Sequence, residues 1–146
     1  MKGTVIAICR GSEKGRPKID VHTGFFEKSL GLVGDAHAGT EREVSILARE
    51  KVNQLSQETG LCFPPGAFAE NLLIEGVDQA EWIPGRRVRV GRALLQIDHI
   101  GKAPGSSHSY HYQGYSLLPH YGIFARVVEA GLVKNGDTAE ILNSFP

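Results

Sequence analysis

Glu70 and Asn71 set an acid and an amide side by side just ahead of the apolar run Leu72-Leu73-Ile74, within Pro65-Gly66-Ala67-Phe68-Ala69-Glu70-Asn71. An asparagine offers both a donor and an acceptor, whereas an ionised glutamate only accepts. The pair can therefore read a polar ligand edge, or knit a loop to the strand behind it through a buried network. Upstream, Asp35 and His37 lie between Gly34 and Gly39. Glycines at both ends let the backbone turn sharply and bring a carboxylate and an imidazole to one wall of a cleft. The plainer alternative is a turn whose Asp caps its own backbone and whose His is solvated. Arg42 and Glu43 precede Val44-Ser45-Ile46-Leu47. An arginine fork suits a two-pronged grip on phosphate, and a salt bridge inside the fold would use the same residues. Lys102, just after Gly101, stands where a strand is expected to end, within reach of a phosphate or a sulfur-bearing anion.

Other reactive side chains invite weaker readings. Cys9 and Cys62 are the only thiols, which argues against a disulfide framework, and a structural zinc site would have to rely mostly on histidine. Each fits a small buried hydrophobe, although Cys62 could serve as a thiolate if a cation such as Lys102 or Arg42 stood beside it. His108 and His111, three apart, have no clear third ligand, so no metal site is assigned. With His120 and the tyrosines at 110, 112, 115 and 121, they suit an aromatic lid or a solvated loop better. Arg87 and Arg89 alternate with Val88 and Val90, which puts the arginines on an outer, solvated face.

The elements that must position these groups read mainly as strands. Residues 4–8 are rich in β-branched side chains and lead into a charged loop at 13–17. Residues 48–59 place Ala48, Val52 and Leu55 at helical spacing and stop at Gly60, predicting one short helix with a left-handed cap. Val88 and Val90, then Gly91-Arg92, then Leu95 and Ile97 describe a hairpin, and Lys134-Asn135-Gly136-Asp137 a second tight turn. Many short strands need protected edges, which favours a closed or strongly curled antiparallel β-barrel with one or a few short helices. Val88, Val90, Leu95, Ile97, Ile46 and Leu72 are expected to face its common interior.

Length and charge bound the rest. With 146 residues the chain fits a single domain, 1–146. The 16 basic and 16 acidic residues cancel, leaving no overall field to attract nucleic acid or an anionic membrane. No apolar run approaches spanning length and the N-terminus lacks a signal pattern, so the expectation is a cytoplasmic protein.

In this order, Gly34-Asp35-Ala36-His37-Ala38-Gly39, Arg42-Glu43-Val44-Ser45-Ile46-Leu47, the Glu70-Asn71 stretch, Pro84-Gly85-Arg86-Arg87-Val88-Arg89-Val90-Gly91 and Ile100-Gly101-Lys102 resemble the MOSC domain, a family named after the C-terminal domain of molybdenum cofactor sulfurase. The resemblance runs over about residues 34–137 and rests on several separated motifs. It implies a barrel-like β fold and a role in binding molybdopterin cofactors or carrying sulfur on a cysteine. That cysteine commonly follows the Gly-Lys pair, in a pattern like Gly-Lys-Glu-Cys-His, whereas this chain reads Gly101-Lys102-Ala103-Pro104-Gly105, with His108 where a second cysteine often stands.

The expectation is thus a pocket for the molybdenum cofactor or a related anionic ligand. Asp35, His37, Arg42, Glu70, Asn71, Lys102 and His108 are the candidate contacts, and Lys102, Arg42, His37 and Asn71 should converge on one cleft. Alternatives are a molybdenum-dependent reductase of N-hydroxylated compounds, and a structural or regulatory module that has kept the barrel without the chemistry. Candidate partners are a molybdoenzyme, a protein of cofactor biosynthesis, or a second copy of the chain.

Overall fold

The computed structural model of this protein describes residues 1–101 and 110–143. Seven strands form a closed barrel: β1 (Lys2–Arg10), β5 (Val44–Ala48), β6 (Leu72–Glu75), β7 (Arg87–Val90), β8 (Ala93–Ile100), β9 (Ile123–Glu129) and β11 (Thr138–Ile141). They run in the order β11-β7-β8-β9-β5-β6-β1, and β1 pairs back onto β11, so the barrel has no free edge. The short β2 (Ile19–Asp20) extends the end of β1, with Asp20 opposite Cys9. A separate three-stranded sheet comprises β10 (Gly131–Lys134), β3 (Thr23–Glu27) and β4 (Gly31–Leu32).

Local chemistry accounts for most of these elements. β7 and β8 are joined by Gly91-Arg92 alone, with Val90 opposite Ala93, and Gly91 takes the positive φ of +54° that a two-residue hairpin turn requires. Helix α1 (Arg49–Thr59) ends where Gly60 adopts φ +73° and donates its N–H to the Ser56 carbonyl. The expected turn at 134–137 is closed by the Asp137 N–H on the Lys134 carbonyl, and the Asp137 carboxylate accepts the Lys134 N–H.

One pairing departs from the all-antiparallel expectation, because β5 and β6 run parallel, with Ile46 opposite Leu72. Parallel neighbours need a long crossover, and α1 with the loop after it supplies one. This crossover covers the outer wall, so all five residues of β5 are buried, on both faces of the strand.

The core therefore has two layers. Val88, Val90, Leu95, Ile97, Ile46 and Leu72 are all at most 1% exposed and share the barrel interior, as their alternation predicts. A second cluster lies between the wall and its cover: Leu47, Leu73, Ala7 and Cys9 from the strands meet Val52 of α1, Phe68 of the following loop, and Leu118 of the one-turn helix α2 (Leu118–Tyr121). No helix among the described residues is long and apolar enough to cross a membrane.

Candidate functional site

The Gly34–Gly39 turn makes a built polar centre once it meets a residue that sequence reasoning passed over, Lys18. The Asp35 carboxylate accepts the Gly11 N–H on Oδ1 (3.1 Å) and the His37 N–H on Oδ2 (3.1 Å), so the self-capping turn exists. Oδ2 also accepts from Lys18 Nζ at 3.0 Å, and the same ammonium lies 3.2 Å from His37 Nδ1. The side chains of Lys18 and Asp35 are 1% and 0% exposed, so this ion pair is withdrawn from water. Burial pushes the Asp35 carboxyl up, but the neighbouring His37, the Lys18 charge and the Gly11 N–H together outweigh it and hold the group well below the usual carboxylate range. Burial likewise pushes Lys18 down, opposed chiefly by the adjacent Asp35.

His37 links this centre to the surface. With Lys14, Thr40, Glu41 and Arg42 it lines an open cleft of about 340 Å³. Thr40 ties the two ends of the motif together: its hydroxyl donates to the His37 carbonyl at 2.7 Å and accepts the Arg42 N–H at 3.1 Å. The Arg42 guanidinium lies 6.0 Å over the Phe124 ring. Glu43 is engaged elsewhere, its carboxylate accepting the Val127 N–H at 3.1 Å. Among the described residues, neither Lys14 nor Arg42 forms an ion pair.

Glu70 and Asn71 sit deeper, behind the same loop system. The Glu70 carboxylate is fully buried and accepts the N–H groups of Gly66 (2.8 Å) and Phe68 (3.2 Å), folding the 66–70 loop around itself. Desolvation raises its carboxyl to about 7, against the pull of those amides and of Lys18. Asn71 joins three barrel strands: its side-chain oxygen accepts from the Ser45 N–H, its amide donates to the Cys9 carbonyl, and its backbone N–H bonds to Ser45. Both side chains thus face the protein interior rather than the cleft wall, with backbone partners already in place. Gly66 fastens this loop to Lys18. It accepts the Lys18 N–H at 2.8 Å, and a Cβ on it would fall 2.1 Å from the Lys18 carbonyl oxygen.

The remaining candidates separate from this centre. Arg87 and Arg89 occupy the outer face of β7, against Gln96 and Glu129. Cys9 is buried, its thiol pushed up by desolvation and then by Glu70 and Asp20. Cys62 is exposed, a correction to the buried hydrophobe expected there: it lies on the open side of the loop after α1, while the neighbouring Phe63 turns inward against Phe68, Tyr112 and Tyr115. Neither thiol lines the His37 cleft. The Tyr110 hydroxyl donates to the Ala67 carbonyl, and its phenol is pushed to about 12 by burial, then by Glu70. Tyr110, Tyr112 and Tyr115 thus pack against the 61–68 loop, and none of them lines the His37 cleft. Lys102 and His108 lie outside the described residues.

Lys18 left no local signal: it closes the polar run Glu13-Lys14-Gly15-Arg16-Pro17-Lys18, where nothing separates a buried lysine from solvated neighbours.

Comparison with known proteins relates the chain to others by a family model and by fold. A family model, the MOSC domain, matches residues 33–100. The YuaD protein of Bacillus subtilis superposes with a TM-score of 0.75 at 18% identity, covering 97% of this chain and 96% of that one. YiiM of Geobacillus stearothermophilus gives 0.76 at 21%, covering 97% and 75%, and YiiM of Escherichia coli 0.71 at 24%, covering 99% and 71%. At these identities the solved structures establish the shared fold. No curated protein matches.

Proposed function

Because the chain carries a MOSC domain over residues 33–100, we propose that it binds a molybdopterin-type cofactor or a related phosphate-bearing anion in the cleft beside His37. The observation that carries this reading is the cleft's donor set. Lys14 and Arg42 supply cations without carboxylate partners among the described residues, and Thr40 holds Arg42 next to His37. A guanidinium, an ammonium and an imidazole around one opening suit the terminal phosphate of a pterin cofactor. Glu41, in the same cleft, favours a ligand that also brings a donor.

The fit extends to the phosphate and stops there. A thiolate ligand for molybdenum, or a persulfide-bearing cysteine, would need a thiol at the cleft, and neither Cys9 nor Cys62 lines it. Binding, rather than sulfur transfer, is therefore the function this site supports best. Lys102, next along the chain from the Gly101 that ends the β8 region, is the further cation assigned to the ligand by the family motif.

Two measurements test this. Protein purified from a host that makes molybdenum cofactor should carry molybdenum and yield the fluorescence of oxidised pterin. Calorimetric titration with a pterin phosphate should show that Arg42→Ala or Lys102→Ala loses about 2 kcal/mol, roughly thirtyfold in affinity, because truncating one charged partner of a bound anion leaves the other uncompensated. Arg87→Ala, on the outer face of β7, should change affinity little. Equal, small effects for all three variants would remove the ligand from this cleft.

A further inference from the structure

Resting on that reading of the cleft, we propose that Lys18 is a positioning residue for His37: by occupying Nδ1 it holds the ring proton on Nε2, so the imidazole offers an N–H donor to an anion. An ammonium has three donors and no acceptor. With Lys18 kept charged by the Asp35 carboxylate at 3.0 Å, its Nζ offers His37 Nδ1 only a donor at 3.2 Å, which assigns Nδ1 as the acceptor and puts the proton of the neutral ring on Nε2. The opposite tautomer would turn an acceptor lone pair toward an anionic ligand and repel it.

The structure holds Lys18 in this role from both ends. Its backbone is pinned to Gly66, which has no room for a side chain against the Lys18 carbonyl. Its ammonium is clamped at 3.0 Å by Asp35, whose carboxylate is itself fixed by the N–H groups of Gly11 and His37. A lysine serving only as a counter-ion for Asp35 would not need its second contact to fall on the ring nitrogen of the one cleft residue rooted in the same turn. The arrangement spans three separate segments, residues 11–18, 34–39 and 66–70, and two of them belong to the motifs that resemble the family.

The test separates the tautomer from the ligand. Two-bond ¹H–¹⁵N correlation spectra of histidine-labelled wild-type protein, without ligand, should show His37 as the Nε2–H tautomer. In Lys18→Met the orphaned Asp35 carboxylate, 3.8 Å from Nδ1, should recruit the ring as a donor, moving the proton to Nδ1. Calorimetric affinity for inorganic phosphate should then fall roughly tenfold, the order expected for one lost hydrogen bond to a charged group. A wild-type His37 protonated on Nδ1 overturns the proposal, and so does an unchanged tautomer in folded Lys18→Met. The wild-type spectrum decides the matter even if that variant fails to fold. Failure of wild-type protein with the Nε2–H tautomer to bind either phosphate or pterin phosphate would overturn the cleft reading instead.

Discussion

Glu70 is a carboxylate whose stability effect runs opposite to that of most acids. Its two oxygens accept the Gly66 and Phe68 amides, yet complete burial still lifts its carboxyl to about 7. In the unfolded chain the same group titrates at about 4.3. Between those values the folded state binds the extra proton, so the stabilising contribution is fully present below about 4.3 and is lost as pH rises through about 7. Glu70→Gln removes the titration and leaves one acceptor for two amides. Wild-type protein should therefore be the more stable, and its margin over the variant should shrink between about pH 5 and pH 8 in urea unfolding. A margin that stays constant or grows would contradict the raised value. Asp35 shows the contrasting case: also buried, it stays charged because Lys18 and two backbone amides surround it. Each acid accepts two backbone amides, so the difference lies in the deeper burial of Glu70 and in the Lys18 ammonium 3.0 Å from Asp35.

At the scale of elements, the loop that carries Gly66 transmits position from the barrel to the cleft. Gly66 has φ +86° and its missing side chain would occupy the space of the Lys18 carbonyl. Gly60, the cap of α1, has a similar φ of +73° but open space around it. An alanine in the left-handed region costs roughly 1–2 kcal/mol for the backbone alone. Gly60→Ala should lose about that much by chemical denaturation, and Gly66→Ala clearly more, because the loop must also move off Lys18. The second variant should disturb the His37 resonances while the first leaves them in place. Equal losses would mean that the loop yields without consequence for the site.

For the whole molecule, closure of the barrel depends on β11, which pairs with β7 on one side and β1 on the other. Removing the chain from residue 138 onward would leave both neighbours with unpaired edges and expose Ala139 and Ile141 positions of the interior. The truncated protein should lose cooperative thermal unfolding and sharp amide dispersion; retention of both would show that the other six strands close without it. Asn71 plays a related part on the other side of β1, where it ties β6 to β5 and β1 beside the one parallel pairing among the described strands. The seat of the candidate site is thus the region where the crossover meets the barrel wall, and the cleft hangs on the turn just outside it.

Alternation and turn chemistry in the chain by themselves determined the barrel's inward face at Val88, Val90, Leu95 and Ile97, the Gly91-Arg92 turn, and the capped helix ending at Gly60. These depend on neighbours within a few residues, which is the range over which periodicity carries information. The motif order likewise pointed to the family, and His37 and Arg42 do line one cleft. Only the tertiary structure decided that Lys18 rather than Lys14 is buried, that Asn71 is spent on the backbone, and that β5 lies parallel to β6. Those outcomes rest on contacts 17, 26 and 62 residues apart along the chain. A polar side chain's partners are fixed by which distant segment folds against it, and no local pattern encodes that choice.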